Sequence, residues 1–322
     1  MSTTPGILHT TPDVNLMLEM EFRVYDGWIA VGFWICFLIG LPGNCVALTY
    51  FLHTKKRNLS TLLYIFACSF DICSSVIHLP VAVNLLNKRR PGLLGIPVFC
   101  SMWHFTLLLL QQMAMFVVML LSLSRAVVIL FPFYQFNKRG VLLSIVLYLF
   151  YHCIWNTLYF THADSYYGTA TALCTIYSET AFNTIHQANY SLCSGLPPII
   201  VFVAFLVSTA KLQRDNFSDA SLRKNHYASV TITYFSAIFL CCNSFTFVNQ
   251  SLYTFTMAWY KTYPGPIYNN NFMFFYSWLI SQLFCTVLNA SLNPMLYIWR
   301  ITEMRMWILG LFSSDRSLIC SG

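Results

Sequence analysis

Apolar positions in this chain gather into long runs separated by brief polar stretches. A helix that crosses a bilayer core needs about 20 largely apolar residues. Seven runs reach that length, approximately residues 28–52, 60–86, 98–131, 140–161, 190–212, 227–256 and 272–299. The pattern predicts an all-α membrane protein, a seven-transmembrane helix bundle over 28–299. Residues 1–27 are expected to form an extracellular N-terminus, and 300–322 an interfacial helix and cytoplasmic tail. Nothing in the pattern calls for a second soluble domain, a low-complexity tract or the repeat-related halves of a transporter.

Composition fixes the solvent. Of 322 residues, 57% are apolar and 9% charged, against roughly 25% charged in soluble domains. The 17% aromatic content suits a wall that faces lipid and rings that sit at headgroup depth. The net charge of +7 does not call for nucleic acid, because the basic residues sit in short clusters between apolar runs and read as topology signals. With the N-terminus outside, Lys55, Lys56, Arg57, Lys138, Arg139, Lys211, Arg214, Arg223, Lys224, Arg300, Arg305 and Arg316 are cytoplasmic, and few basic residues remain outside. Lys88, Arg89 and Arg90 oppose that bias and read as a solvated loop anchored at headgroups. The first 27 residues carry four acids and no apolar run suited to a cleaved signal, so the first span is expected to serve as the insertion signal. Most of the twelve cysteines fall inside apolar runs and read as small core hydrophobes, whereas Cys100 and Cys174 fall at outer positions. No His/Cys cluster has zinc spacing, so neither a metal nor a cofactor is expected.

Three local patterns carry chemistry. Segment seven ends in Asn289-Ala-Ser-Leu-Asn293-Pro294-Met-Leu-Tyr297. Pro294 removes a backbone hydrogen bond inside a membrane helix, and Asn289 and Asn293 can re-satisfy the freed groups, so the helix bends at a defined place. In segment three, Arg125 follows Cys100 by 25 residues and Pro132 follows Arg125 by seven. At 1.5 Å per residue, Cys100 and Arg125 stand about 37 Å apart, at opposite faces of the bilayer. Asp71 is the one acidic residue in the middle of a span, and a carboxylate there is costly and functional by default.

These strings, with Asn44 in segment one, resemble the signatures of rhodopsin-like (class A) G-protein-coupled receptors, strongly in segments two, three and seven and weakly in four to six. The chain looks like a divergent orphan or chemosensory-type member. The resemblance implies an activation switch built from Asp71, Arg125, Asn289, Asn293, Pro294 and Tyr297. In the family the Asp71 site holds sodium and water; Ala114 and Ala290 remove polar partners here, which weighs against sodium while leaving Asp71 its switching role. Other departures are Ser124 in place of the acid beside Arg125, and Asn243 and Phe245 in place of the Trp and Pro of segment six. The run from Arg300 to Trp307 looks like a short interfacial eighth helix.

The implied function is transduction. An extracellular or lipid-borne ligand shifts a two-state bundle and opens an inner cavity to a heterotrimeric G protein at the plasma membrane. His104, Leu107, Leu108, Gln111, Asn243, Phe247, Gln250 and Thr286 are the expected ligand-pocket residues. A small molecule, a lipid and a peptide all remain open as ligands. Val287 occupies the place of a retinal lysine and Leu107 that of an amine-binding aspartate, which marks down light and biogenic amines. The rival reading is a transporter or channel; an enzyme is not expected, since no Ser/His or His/Asp constellation appears. Cys100 is expected to form a disulfide with Cys174, with Cys193 as the competing partner, and Asn189 is the N-x-S site placed to be glycosylated. With Ser124 and Asn225 where relatives carry acids, the resting state is expected to be held weakly.

Overall fold

The computed structural model describes residues 12–55, 58–86, 96–131, 134, 136–161, 164–168, 173–177, 181–214, 230–231, 233–244 and 272–312. Helix α1 spans Pro12–His53, α2 Leu59–Ile77, α3 Leu79–Leu86, α4 Pro97–Leu130 and α5 Lys138–Phe160. Strands β1 (Asp164–Gly168) and β2 (Leu173–Tyr177) precede α6 (Ala181–Arg214). Then come α7 (233–244), α8 (Phe272–Arg300) and α9 (Thr302–Phe312). Among the described residues, five stretches are long and apolar enough to cross a membrane: Gly27–His53, Leu59–Leu86, Pro97–Leu130, Lys138–Phe160 and Ala188–Lys211. Leu38, Leu143, Phe150 and Phe202 are exposed on their outer faces, an arrangement that lipid tolerates and water does not. The chain is a multi-pass membrane protein of helical build. Of the sixth expected span, 227–256, the described helix covers 230–231 and 233–244, and residues 245–256 lie outside the described residues.

Helix starts follow from capping. Asn58 Oδ1 accepts from the backbone N–H of Thr61 at 2.8 Å and from its hydroxyl at 2.9 Å, which satisfies donors left free at the start of α2. Asn137 Oδ1 does the same for Arg139 N–H at α5, 3.0 Å away. Pro97, lacking an N–H, opens α4. α1 begins well before the apolar run at residue 28, because hydropathy detects where a helix is greasy and not where it starts.

The second span is two helices with a break at His78. Pro80 cannot donate and its ring crowds the preceding turn. Val81 N–H bonds His78 O at 3.1 Å, so Ile77 O loses its regular helical donor. Trp103 of α4 donates its indole N–H to that carbonyl at 2.6 Å, which ties the break to the third span.

α4 packs against α2, α5, α6 and both strands, while α1 packs against α2, α3 and α8. Two apolar clusters form. One holds Ala47, Phe51, Leu63, Tyr64, Ala67, Leu121, Phe235 and Tyr297. The other holds Phe33, Val81, Leu85, Cys100, Trp103, Ile280 and Val287. Along α1, α2 and α8 alike, the polar residues Asn44, Asp71, Ser291 and Asn293 fall between them, as a buried polar layer. β1 and β2 pair antiparallel, with Tyr167 opposite Cys174, and form a hairpin that the all-α expectation omits.

Candidate functional site

The polar layer is assembled by close approach of α1 to α8. A Cβ at Gly40 would lie 2.6 Å from Ser291 Oγ and 3.1 Å from its Cα, and one at Gly43 would lie 2.8 Å from the Pro294 ring. Glycine is required at both positions because a backbone element or a rigid ring occupies the space of a side chain. Pro294 has no N–H, so Ala290 O, four residues earlier, has no helical donor. Asn44 supplies one: its Nδ2 donates to Ala290 O at 2.8 Å and to Gly40 O at 2.9 Å. The sequence assigned that repair to Asn289 and Asn293; the structure gives it to Asn44 on the facing helix. The Ser291 hydroxyl, shared between Cys36 O (2.7 Å) and Val287 O (2.8 Å), adds a second stitch.

Freed from backbone duty, Asn293 reaches α2. Its Nδ2 donates to Asp71 Oδ2 at 2.7 Å, with both residues buried. A carboxylate in low dielectric needs such a donor. Asn293 Oδ1 and Asn289 Oδ1 are buried without a hydrogen-bond partner within the protein, and the Tyr297 hydroxyl meets only the weakly bonding Cys68 thiol. The layer is therefore rich in oxygen acceptors. Tyr297 is fixed by its ring, which lies 5.6 Å from Phe51, 5.2 Å from Tyr64 and 6.0 Å from Phe235. One side chain thus joins α1, α2, α7 and α8. On the same side Tyr50 meets Trp307 of α9 at 5.7 Å.

At the end of α4 the Ser124 hydroxyl bonds Leu121 O at 2.8 Å, its own helix, and not Arg125. The Arg125 Nε is buried and makes no hydrogen bond. A hydrogen bond that does cross from α4 to α7 joins Ser122 Oγ and Ser236 Oγ at 2.8 Å, both side chains buried. Two serines have no distinctive string, and the sequence reading missed them. Asn225 lies outside the described residues.

The expected ligand-pocket residues lie on α4, α7 and α8, as far as they are described. Asn243 Nδ2 bonds Phe239 O at 2.9 Å and the Thr286 hydroxyl bonds Gln282 O at 3.0 Å, each within its own helix. His104 sets its ring edge against Trp103 at 4.8 Å. Leu107 is buried and Leu108 half-buried on the same helix. Gln111 crosses helices, its Oε1 accepting from the Tyr190 hydroxyl of α6 at 2.9 Å. Phe247 and Gln250 lie outside the described residues. Cys100 is buried in the first turn of α4 and is not among the free cysteines, whereas Cys193 is free. Asn189 sits inside α6, where its Oδ1 accepts from the Tyr151 hydroxyl at 2.6 Å.

No family model matches the chain. It is similar to chemerin-like receptor 1 of Homo sapiens, 21% identical over 336 residues that cover 96% of this chain and 84% of that protein. The likeness supports a receptor role. Chemerin-like receptor 1 of Mus musculus is 23% identical over 308 residues, covering 87% of this chain and 76% of its own length. The first match runs over nearly the whole chain, so the likeness is not confined to one motif.

Proposed function

We propose that this chain is a rhodopsin-like G-protein-coupled receptor with seven spans, an outer N-terminus, an interfacial α9 and a place in the plasma membrane. The observation that carries the reading is the Asn293–Asp71 hydrogen bond, one residue before the Pro294 bend. It links the end of α8 beyond the bend to a buried carboxyl group on α2, which is the coupling a two-state bundle needs. The end-to-end likeness to receptors supports it. In the resting arrangement Tyr297 packs against Phe235 and Ser122 bonds Ser236, so α7 is held to both α8 and α4. A ligand that binds better when α7 swings away opens the inner face to a heterotrimeric G protein. Its chemistry, whether small molecule, lipid or peptide, is left open by the pocket residues. The pairing of Cys100 with Cys174 belongs to the same reading, because β2 packs on α4 and Cys193 is free.

The test is surface expression with a G-protein dissociation reporter and a broad ligand panel, with Arg125→Ala as control. Coupling that the control loses supports the receptor. Normal surface expression with no coupling to any G protein, under any ligand or none, rejects it.

A further inference from the structure

A second group of buried polar side chains lies away from the switch, along the seam of α4 and α5. Two ring contacts set the antiparallel register of that seam: Phe116 stacks on Tyr148 at 4.0 Å, and Phe105 meets Phe160 edge-on at 5.8 Å. One turn from Phe116, on the side of Phe105, stands Gln112; one turn from Tyr148, on the side of Phe160, stands His152. The register therefore brings them face to face. Tyr148 closes the group, its hydroxyl 3.4 Å from Gln112 Oε1 and its ring 4.4 Å from that of His152. Asn156 follows one further turn along the same buried face of α5.

Gln112 is 1% exposed, and His152 and Asn156 are 2% exposed. Gln112 Nε2, His152 Nε2 and Asn156 Nδ2 have no hydrogen-bond partner within the protein. In a bilayer no lipid tail can supply one. Two of these atoms are amide donors and the third is an imidazole nitrogen that donates or accepts with its tautomer. A group able both to accept and to donate matches all three. The guest is neutral, because the charged residues of the enclosing helices are remote: Arg125 on α4 and Lys138 and Arg139 on α5 stand about 20 Å away along their axes. Along the seam the group lies between the Phe116–Tyr148 stack and the Phe105–Phe160 pair, and the Tyr151–Asn189 hydrogen bond ties α5 to α6 nearby, which favours a small guest.

We propose that Gln112, His152 and Asn156 enclose an intramembrane water site between α4 and α5, separate from the Asp71 layer. Water has the two to four polar partners that a buried molecule requires. The site is independent of whether the chain couples to a G protein.

Pulsed hydroxyl-radical labelling of the full chain in lipid nanodiscs reads it directly, since radicals formed from bound water oxidise the side chains beside it. Tyr148 and His152 are expected to be labelled several-fold faster than Phe239, a buried ring 2% exposed. Gln112→Met keeps the volume and removes a partner, and is expected to cut Tyr148 labelling several-fold. Asn156→Leu serves the same purpose if that variant does not fold. Tyr148 and His152 labelled no faster than Phe239 in the wild type would overturn the proposal, as would Tyr148 labelling unchanged in a folded variant.

Discussion

The α1–α2–α8 sector and the α4–α5 seam both bury polar side chains in a membrane, and they dispose of them in opposite ways. In the first, Pro294 leaves a carbonyl free and Asn44 covers it, and Asp71 receives Asn293. Each pair crosses between helices. In the second, α5 buries Ile145, His152, Asn156 and Tyr159, and His152 and Asn156 each keep a nitrogen without a protein partner. Proline is the reason for the difference. A mid-helix proline creates a backbone demand at a fixed position, so the residues that answer it are fixed too. The α4–α5 seam has no such demand, and its polar groups are free of any required string.

That contrast breaks most visibly at the glycines. Gly40→Val places a side chain against Ser291 Cα, a backbone atom that cannot yield, whereas Gly27→Val meets nothing within 4 Å. Overpacking commonly costs about 1–3 kcal/mol, and at Gly40 the upper end or beyond is expected because α1 and α8 must separate. Thermal unfolding in detergent should show a large loss for Gly40→Val and none for Gly27→Val. Equal losses would mean that α1 does not approach α8 this closely.

Polar deletions come next. Asn44→Leu and Asn293→Leu each strand a buried partner, at a cost of about 1–3 kcal/mol. Asn156→Leu strands no protein group and should stay within about 0.5 kcal/mol of the wild type. Melting curves for the three variants check the comparison, and a loss at Asn156 equal to that at Asn44 would erase it.

How far these regions were legible in the sequence follows the same division. Segments one to five were readable as apolar runs, and the described helices cover them, α1 and α6 extending further out because polar residues such as Glu19 and Glu21 hide a helix from hydropathy. The Asn293–Asp71 pair was foreshadowed because proline, asparagine and a lone carboxylate are rare in spans. Trp103 bonding Ile77 O was missed, although Pro80 signals a freed carbonyl and a search for its donor could have found it. The Ser122–Ser236 contact and the hairpin of β1 and β2 were missed for a different reason. Serine hydroxyls inside helices usually bond their own backbone, and strands of five residues are too short for an alternation of apolar and polar positions to stand out.

A smaller effect is expected at that serine contact. Ser236→Ala removes one neutral hydrogen bond, worth about 1 kcal/mol net, from the resting state alone. A shift of 1 kcal/mol is a factor of about 5 in a two-state ratio, so ligand-free signalling should rise by that order. Ser124→Asp, which gives Arg125 an acidic neighbour, should lower it. A G-protein dissociation assay at matched surface expression measures both, and no change in either variant would remove this contact from the switch.

The smallest change in stability is expected at Tyr297, where ring and hydroxyl separate. The ring is 1% exposed and contacts Phe51, Tyr64 and Phe235, while the hydroxyl meets the Cys68 thiol and no strong acceptor. Removing a buried hydroxyl whose one partner is a weakly bonding thiol takes away a desolvation cost and little bonding, so Tyr297→Phe should melt within about 1 kcal/mol of the wild type. Tyr297→Ala, which empties the space of the ring, should lose about 3–5 kcal/mol, as large aromatic deletions do. If the hydroxyl is idle at rest, its use lies in the other state, once α7 and Phe235 have moved. Tyr297→Phe is then expected to lower agonist-free signalling while leaving the melting curve alone, because a ligand or mutation shifts a two-state balance only through what differs between the states. A melting loss in Tyr297→Phe would show that the hydroxyl is bonded at rest, and unchanged signalling at full surface expression would show that it is bonded in neither.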